Sequence, residues 1–460
     1  MSMRRRGGKQ QGMWVAATKM PRSPGHVFYE KLNEVLGEGG FDERVEQLCE
    51  PHYADRLGRP SIEPGVYFRM LFVGYFEGLS SQRGIAWRCA DSLSLKSYLG
   101  LNAEETSPEH SSMTRIRKRL PEEVFEEVFR FVLELAVEHG LLKGKTIAVD
   151  ATTLEANAAM KSLVRRDTGE DWKAYIKQLA EAEGMEDPSD EDLRRFDKRR
   201  KGKKTSNKDW ESKTDPSSRV TKMKDGRTHL AYKAEHAVDL DSEVIVGAVI
   251  HRADDADPDT VAVTVELSRE NLEKAGSAKQ IEEAVLDKGY HKAATLQQLE
   301  EQYGVRPYAA EPDRGRRKWT DKPEGQQGAV YNNRRRIRGR RGRKLGRLRS
   351  ERVERTFAHV CETGAGRRAW LRGVVNVSKS HLMRSAAHNL NIIMLAMFGV
   401  GTPRSLQGGM AAFSTLLELA LRLVRTLSAF TGRVADLYRH FRRELGVLEF
   451  LGTYVAEPAR

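Results

Sequence analysis

The stretch Thr146-Ile147-Ala148-Val149-Asp150 runs apolar and β-branched and then meets an acid. Too short for a core helix, it reads as a buried strand that delivers a carboxylate at its end. The same grammar returns at Ala284-Val285-Leu286-Asp287, followed by Lys288-Gly289-Tyr290. A third acid, Glu354, sits in Arg352-Val353-Glu354-Arg355-Thr356-Phe357, where Val353, Phe357 and Val360 mark the buried side of a helix. Neighbouring strands lie ~4.8 Å apart, so two strand-end aspartates can converge, and the longer glutamate is expected to reach the same point. Such a set suits Mg²⁺, a hard cation that takes carboxylate, phosphate and water oxygens. Two such ions ~3.5–4 Å apart assist an in-line displacement at phosphorus, and Mn²⁺ can stand in for Mg²⁺.

Each acid also has a local reading. An aspartate after a strand commonly forms a turn or caps a helix, and Glu354 can pair with Arg352 or Arg355 on one helix. Taken singly, Asp150 and Glu354 are better explained in that way and Asp287 is balanced. Their order and their strand, strand, helix placement favour the shared site.

Around these acids the pattern alternates. Strands are expected at Lys145 to Val149, His229 to Val238, Glu243 to His251, Glu283 to Leu286 and Val305 to Ala309. Helices are expected at Asp259 to Lys274, Ala293 to Tyr303 and Arg349 to Glu362. The turn Asp239-Leu240-Asp241-Ser242 makes a hairpin of the second and third strands. This is an α/β core whose mixed sheet is flanked by helices. Residues 161–225 interrupt it with a charged, partly helical and partly disordered insertion that includes Lys198 to Lys204. Residues 26–140 read as an all-helical domain after a disordered basic tail at 1–25. Its basic run Arg115, Arg117, Lys118 and Arg119 resembles the reading helix of a helix-turn-helix, and equally a solvated helix face. Residues 401–460 read as a C-terminal helical extension.

Between 314 and 352 arginine dominates: Arg334, Arg335, Arg336, Arg338, Arg340, Arg341, Arg343, Arg349 and Arg352 all fall there, with Arg355 just beyond. So few apolar residues predict a segment that orders only on a polyanion. The chain as a whole has 78 Lys and Arg against 65 Asp and Glu, a formal charge of +13 that suits nucleic acid. Its three cysteines are scattered with no Cys-x-x-Cys pair, which argues against structural zinc or a disulfide framework. The N-terminus lacks an apolar signal segment, and the longest apolar runs are too short to span a bilayer, so a soluble, intracellular protein is expected.

The ordered set of motifs resembles the DDE transposases of bacterial insertion sequences. It comprises Thr146 to Thr152, Tyr232 to Asp239, Asp287-Lys288-Gly289-Tyr290, Arg349 to His359, and Arg372-Gly373 leading to Asn389-Leu390. Arg59-Pro60-Ser61 and Glu109-His110-Ser111-Ser112 resemble that group's N-terminal helical domain. The resemblance covers roughly residues 25 to 400. It implies an RNase H-like catalytic domain over 141–400, with Asp150, Asp287 and Glu354 as ligands for two Mg²⁺ ions. The implied reaction frees a 3′-OH at a transposon end and joins it to target DNA. The implied partners are terminal inverted repeats and target DNA, handled by a homodimer in the bacterial cytoplasm. Lys288, Tyr290 and Trp370 are further candidates for DNA contact; packing on the sheet suits Tyr290 equally, and a core position suits Trp370 better. Two positions depart from the group: Ser350 stands where an arginine precedes the glutamate, and Cys361 where a lysine follows it.

Overall fold

A ten-residue strand, β1 (Thr146–Glu155), lies at the centre of the sheet. The computed structural model describes residues 23–54, 61–201, 206–223, 226–313, 318–320 and 322–406. Along one edge β1 pairs antiparallel with β5 (Thr228–Asp239), and along the other it pairs parallel with β7 (Glu283–Leu286). The far edge of β5 carries β6 (Ile245–Arg252) and, toward its start, β4 (Arg219–Lys222). Beyond β7 lies β8 (Arg306–Ala309), also parallel. The order β6-β5-β1-β7-β8 joins an antiparallel half to a parallel half, which is the RNase H-like arrangement.

Asp150 is not at a strand end. The pairing with β5 continues from Ile147 to Glu155, so Asp150 stands in mid-strand opposite His236. The β-branched pair Thr152-Thr153 and the apolar Leu154 sustain the strand beyond the acid. The strand assigned to Glu283–Leu286 from sequence has those bounds in the structure, and Asp287 follows it as the cap of a short 3₁₀ turn, Lys288–Tyr290.

Helices cover both faces. On one, α10 (Asp257–Lys274) packs against β6 and β5. Gly247 permits the close approach, since a Cβ there would meet Ser268 Oγ at 2.2 Å. On the other lie α13 (Arg340–Phe357), a π-helical stretch Ala358–Thr363, and the long α14 (Val374–Phe398). The crossover from β7 to β8 is α11 (Ala293–Glu301), and α12 (Gln326–Arg338) leads into α13.

Where composition suggests a segment with no fold of its own, the chain from Gln326 to Phe357 forms two helices. Arginine is a good helix former, and Val330, Leu345, Val353 and Phe357 bury a narrow stripe. At the corner, Gly342 lets the two helices meet, because a Cβ there would lie 2.2 Å from the Arg336 carbonyl oxygen. Residues 314–317 and 321 of the same segment lie outside the described residues.

The charged insertion is also more ordered than its composition suggests. A two-stranded sheet, β2 (Leu163–Arg165) with β3 (Trp210–Ser212), stands beside a helix pair, α8 (Trp172–Ala182) and α9 (Asp190–Arg199). Ile176, Ala180, Leu193 and Phe196 give that pair a small core of its own. Residues 202–205 and 224–225 are not described.

The N-terminal helices are α1 (Pro24–Glu38), α2 (Phe41–Cys49), α3 (Pro64–Phe76), α4 (Gln82–Asp91), α5 (Leu93–Tyr98), α6 (His110–Arg119) and α7 (Glu122–Glu138). Almost every residue of α3 is buried, because neighbours including α2, α4 and α14 surround it. α14 also packs along α7. Lys379 of α14 donates to the carbonyls of Arg117 (3.2 Å) and Leu120 (2.7 Å), capping α6 from a distant part of the chain. The expected basic tail, apart from residues 23–25, lies outside the described residues, as do Arg59-Pro60 and the C-terminal extension from residue 407.

Three histidines are sealed between sheet and helices. His236 Nε2 lies 2.8 Å from His381 Nε2, its ring stacks on Phe357 at 4.2 Å, and His388 Nδ1 lies 3.3 Å from the Tyr75 hydroxyl. Burial pushes His236 well below the usual imidazole range, and His381 and His388 down to about 3. Below pH ~6.5 the unfolded chain binds protons that the folded state refuses, so stability is full above that pH and falls as pH drops toward 3. Each histidine contributes a slope of about 1.4 kcal/mol per pH unit. Thermal melts between about pH 7.5 and 5.5 should show this decline. His388→Asn, which keeps a polar group facing Tyr75, should reduce the slope by about a third. Melts that do not vary over that range would contradict neutral burial.

Candidate active site

The parallel register pairs Val149 with Leu286, so the next residue on each strand, Asp150 and Asp287, sits side by side. Arg349 of α13 reaches between them. Its Nη1 lies 2.8 Å from Asp150 Oδ2 and its Nη2 lies 3.2 Å from Asp287 Oδ1. Asp150 Oδ1 also accepts from the Ala151 amide at 2.8 Å. Burial raises the Asp150 carboxyl above the ordinary range; the Arg349 guanidinium and that amide pull it down, and Asp287 beside it pushes it up again. The net rise marks a carboxylate whose charge is only partly compensated.

Glu354 does not join them. It is exposed, on a face of α13 that also carries Arg343, Gly346, Arg347, Ser350 and Glu351. At 100° per residue it stands about 140° around the helix from Arg349. Val353 and Thr356 take the sheet-facing positions, fully buried. Among the described residues no three His, Cys, Asp or Glu side chains converge as metal ligands.

Tyr290 is a second departure. It is 1% exposed, and its hydroxyl donates to Glu235 Oε1 at 2.8 Å, so base stacking or a phosphate contact is closed to it here. It anchors the turn that follows Asp287. Glu235, fully buried on the α10 face, also accepts from Thr260 (2.8 Å) and Thr264 and faces His251. Burial would raise its carboxyl, but those partners outweigh it and hold it below the ordinary range. Both faces of β5 are buried from Leu230 onward, so Glu235 needs this polar partner set although local alternation groups it with Lys233 and Asp239. Lys288, next to Asp287, is exposed.

Many of the basic residues read as DNA contacts are engaged within the protein. Arg334 makes a bidentate pair with Glu311 at 2.8 Å, Arg336 pairs with Glu300, and Arg341 pairs with the buried Glu283. Arg352 donates to the Leu240 carbonyl, and Arg355 pairs with Glu243 (2.6 Å) and Glu351 (2.7 Å). Arg117 donates to Asn376 at 3.2 Å, and Arg119 lies over the Tyr53 ring. Arg115, Lys118, Arg335, Arg338, Arg340 and Arg343 are exposed. Trp370 is 46% exposed with Arg368 over its ring, at the edge of a cavity of about 250 Å³ that Arg117, Lys379 and Arg384 also line.

Two families of known proteins match the chain. The Transposase domain (DUF772) family matches residues 18–119, and the Transposase DDE domain family matches residues 309–394. The two matches, one N-terminal and one C-terminal, support a DDE transposase of an insertion sequence. No curated protein and no solved structure matches it. The second match holds Arg349 and Glu354, whereas Asp150 and Asp287 lie outside both. As a transposase it is an enzyme acting on DNA, of a family that generally uses divalent metal ions. Two adjacent carboxylates are an adequate protein share of a Mg²⁺ site when phosphate and water complete the shell. Among the described residues no helix is long and apolar enough to cross a membrane.

Two outcomes follow for the transposase. Glu283 accepts from Thr146 Oγ1 (2.8 Å), the Tyr308 hydroxyl (3.0 Å) and Arg341, so Glu283→Ala should cost about 2–3 kcal/mol in urea unfolding by orphaning buried donors. With α12 and α13 as stable helices of the protein, adding duplex should leave helical circular dichroism essentially unchanged; a large gain would mean that the segment folds on binding.

Proposed function

We propose that this transposase cleaves phosphodiester bonds at transposon ends and joins the freed 3′-OH to target DNA, with Asp150 and Asp287 as its metal-binding pair. The observation that carries this reading is the placement of two carboxylates on adjacent parallel strands with a cation already drawn between them. Bound Mg²⁺ or Mn²⁺ would supply Lewis acidity and an activated water or hydroxyl. The protein's share is position and charge. β1 and β7 hold the two acids at fixed spacing, the buried Tyr290 fixes the turn after Asp287, and the exposed arginines of α12 and α13 give phosphate a cationic face. Arg115, Lys118, Lys288 and Trp370 are further exposed candidates for contact with DNA. Two ends processed together call for a homodimer on DNA.

Glu354 is proposed as the third acid of the DNA-bound state. The π-helical stretch Ala358–Thr363 begins four residues after it and stores slack in the helix. Slack moved ahead of Glu354 would bring it to the position that Val353 now holds, facing the sheet. A second reading, a DNA-binding protein without catalysis, draws on the outward orientation of Glu354 in this structure.

The test is cleavage and strand transfer on the element's own end DNA with Mg²⁺ or Mn²⁺. Asp150→Asn, Asp287→Asn and Glu354→Gln should each lower the rate about a hundredfold or more while end binding persists. Equal cleavage by wild type and all three variants sinks the catalytic assignment. Binding without any metal-dependent cleavage by the wild type selects the second reading, and cleavage without joining identifies a nuclease.

A further inference from the structure

Arg349 takes the same two oxygens that a shared metal ion would need. Its guanidinium bonds Asp150 Oδ2 and Asp287 Oδ1, one nitrogen to each, and the side chain is only 13% exposed. A divalent cation ligated by both acids through these oxygens would lie in contact with a fixed positive charge that cannot be deprotonated. Guanidinium and metal therefore exclude one another at this point.

The same helix carries exposed arginines: Arg343 and Arg347 stand about 120° and 160° around α13 from Arg349, and others continue onto α12. A phosphate backbone bound along these helices would offer Arg349 anions to pair with in place of the two carboxylates. We propose that Arg349 is a resident counter-ion that holds Asp150 and Asp287 closed to metal until DNA phosphate draws it away. Metal binding and DNA binding are then coupled, and by linkage each strengthens the other. This rests on the reading of Asp150 and Asp287 as metal ligands.

The experiment is calorimetric titration of Mn²⁺ into the full chain, with and without a short duplex of the element's end. The proteins are the wild type, Arg349→Gln, Arg349→Lys and Asp150→Asn, each checked by circular dichroism. Arg349→Gln should bind Mn²⁺ about tenfold or more tightly than wild type in the absence of DNA. The duplex should tighten wild-type binding and leave the Gln variant nearly unchanged. Should the Gln variant fail to fold, Arg349→Lys carries the test, because one ammonium cannot span both carboxylates and should give a smaller tightening. Arg349 variants that bind Mn²⁺ no better than wild type, with binding lost in Asp150→Asn, overturn the counter-ion role and leave the acid pair standing. Undiminished binding by Asp150→Asn overturns the acid pair itself and the proposal with it.

Discussion

Two carboxylates held next to each other, one on β1 and one just after the parallel β7, repel, and the α/β part of this molecule is arranged around that repulsion. The register of β1 against β7 fixes Asp150 beside Asp287. Once fixed, the pair needs positive charge in reach, and α13 supplies it through Arg349. That requirement sets where α13 crosses the sheet. Its neighbours along the same helix, Arg341, Arg352 and Arg355, then find partners at Glu283, Leu240 and Glu243, which lie on or just beyond three strands of the sheet. A helix rich in like charges stays folded because each of these charges meets an acceptor that is remote in sequence.

The basic character of the segment thus divides between two roles. Arg334, Arg336, Arg341 and Arg349 neutralise the protein's own carboxylates. Arg335, Arg338, Arg340 and Arg343 face outward, where phosphate is their natural partner. Along α13 the division follows the helix period, so that helix serves as scaffold on one side and as a cationic surface on the other.

Much of this was legible before the fold. The run Ala284-Val285-Leu286 is a four-residue buried strand with Glu283, and the hairpin of β5 and β6 follows the turn at Asp239. Local pattern sufficed there because burial and turn chemistry act over a few residues. It failed at Asp150, because the strand is prolonged by pairing with β5, more than 70 residues away in sequence. It failed at Tyr290 because the acceptor of its hydroxyl, Glu235, belongs to another strand. Glu354 is the instructive case. Val353 and Phe357 were read as the buried side of its helix, and on a rigid helix that same periodicity already turns Glu354 away from the sheet.

The sequence by itself determined the element types around the acids, the α/β class, the helical N-terminal region and the kinship with DDE transposases, since these follow from hydrophobic period and short ordered motifs. Tertiary structure alone decided which acids meet, which arginines are already engaged and what lies between Asp150 and Asp287. Those outcomes depend on strand register and on charges brought together across long sequence separations, and no local pattern encodes either.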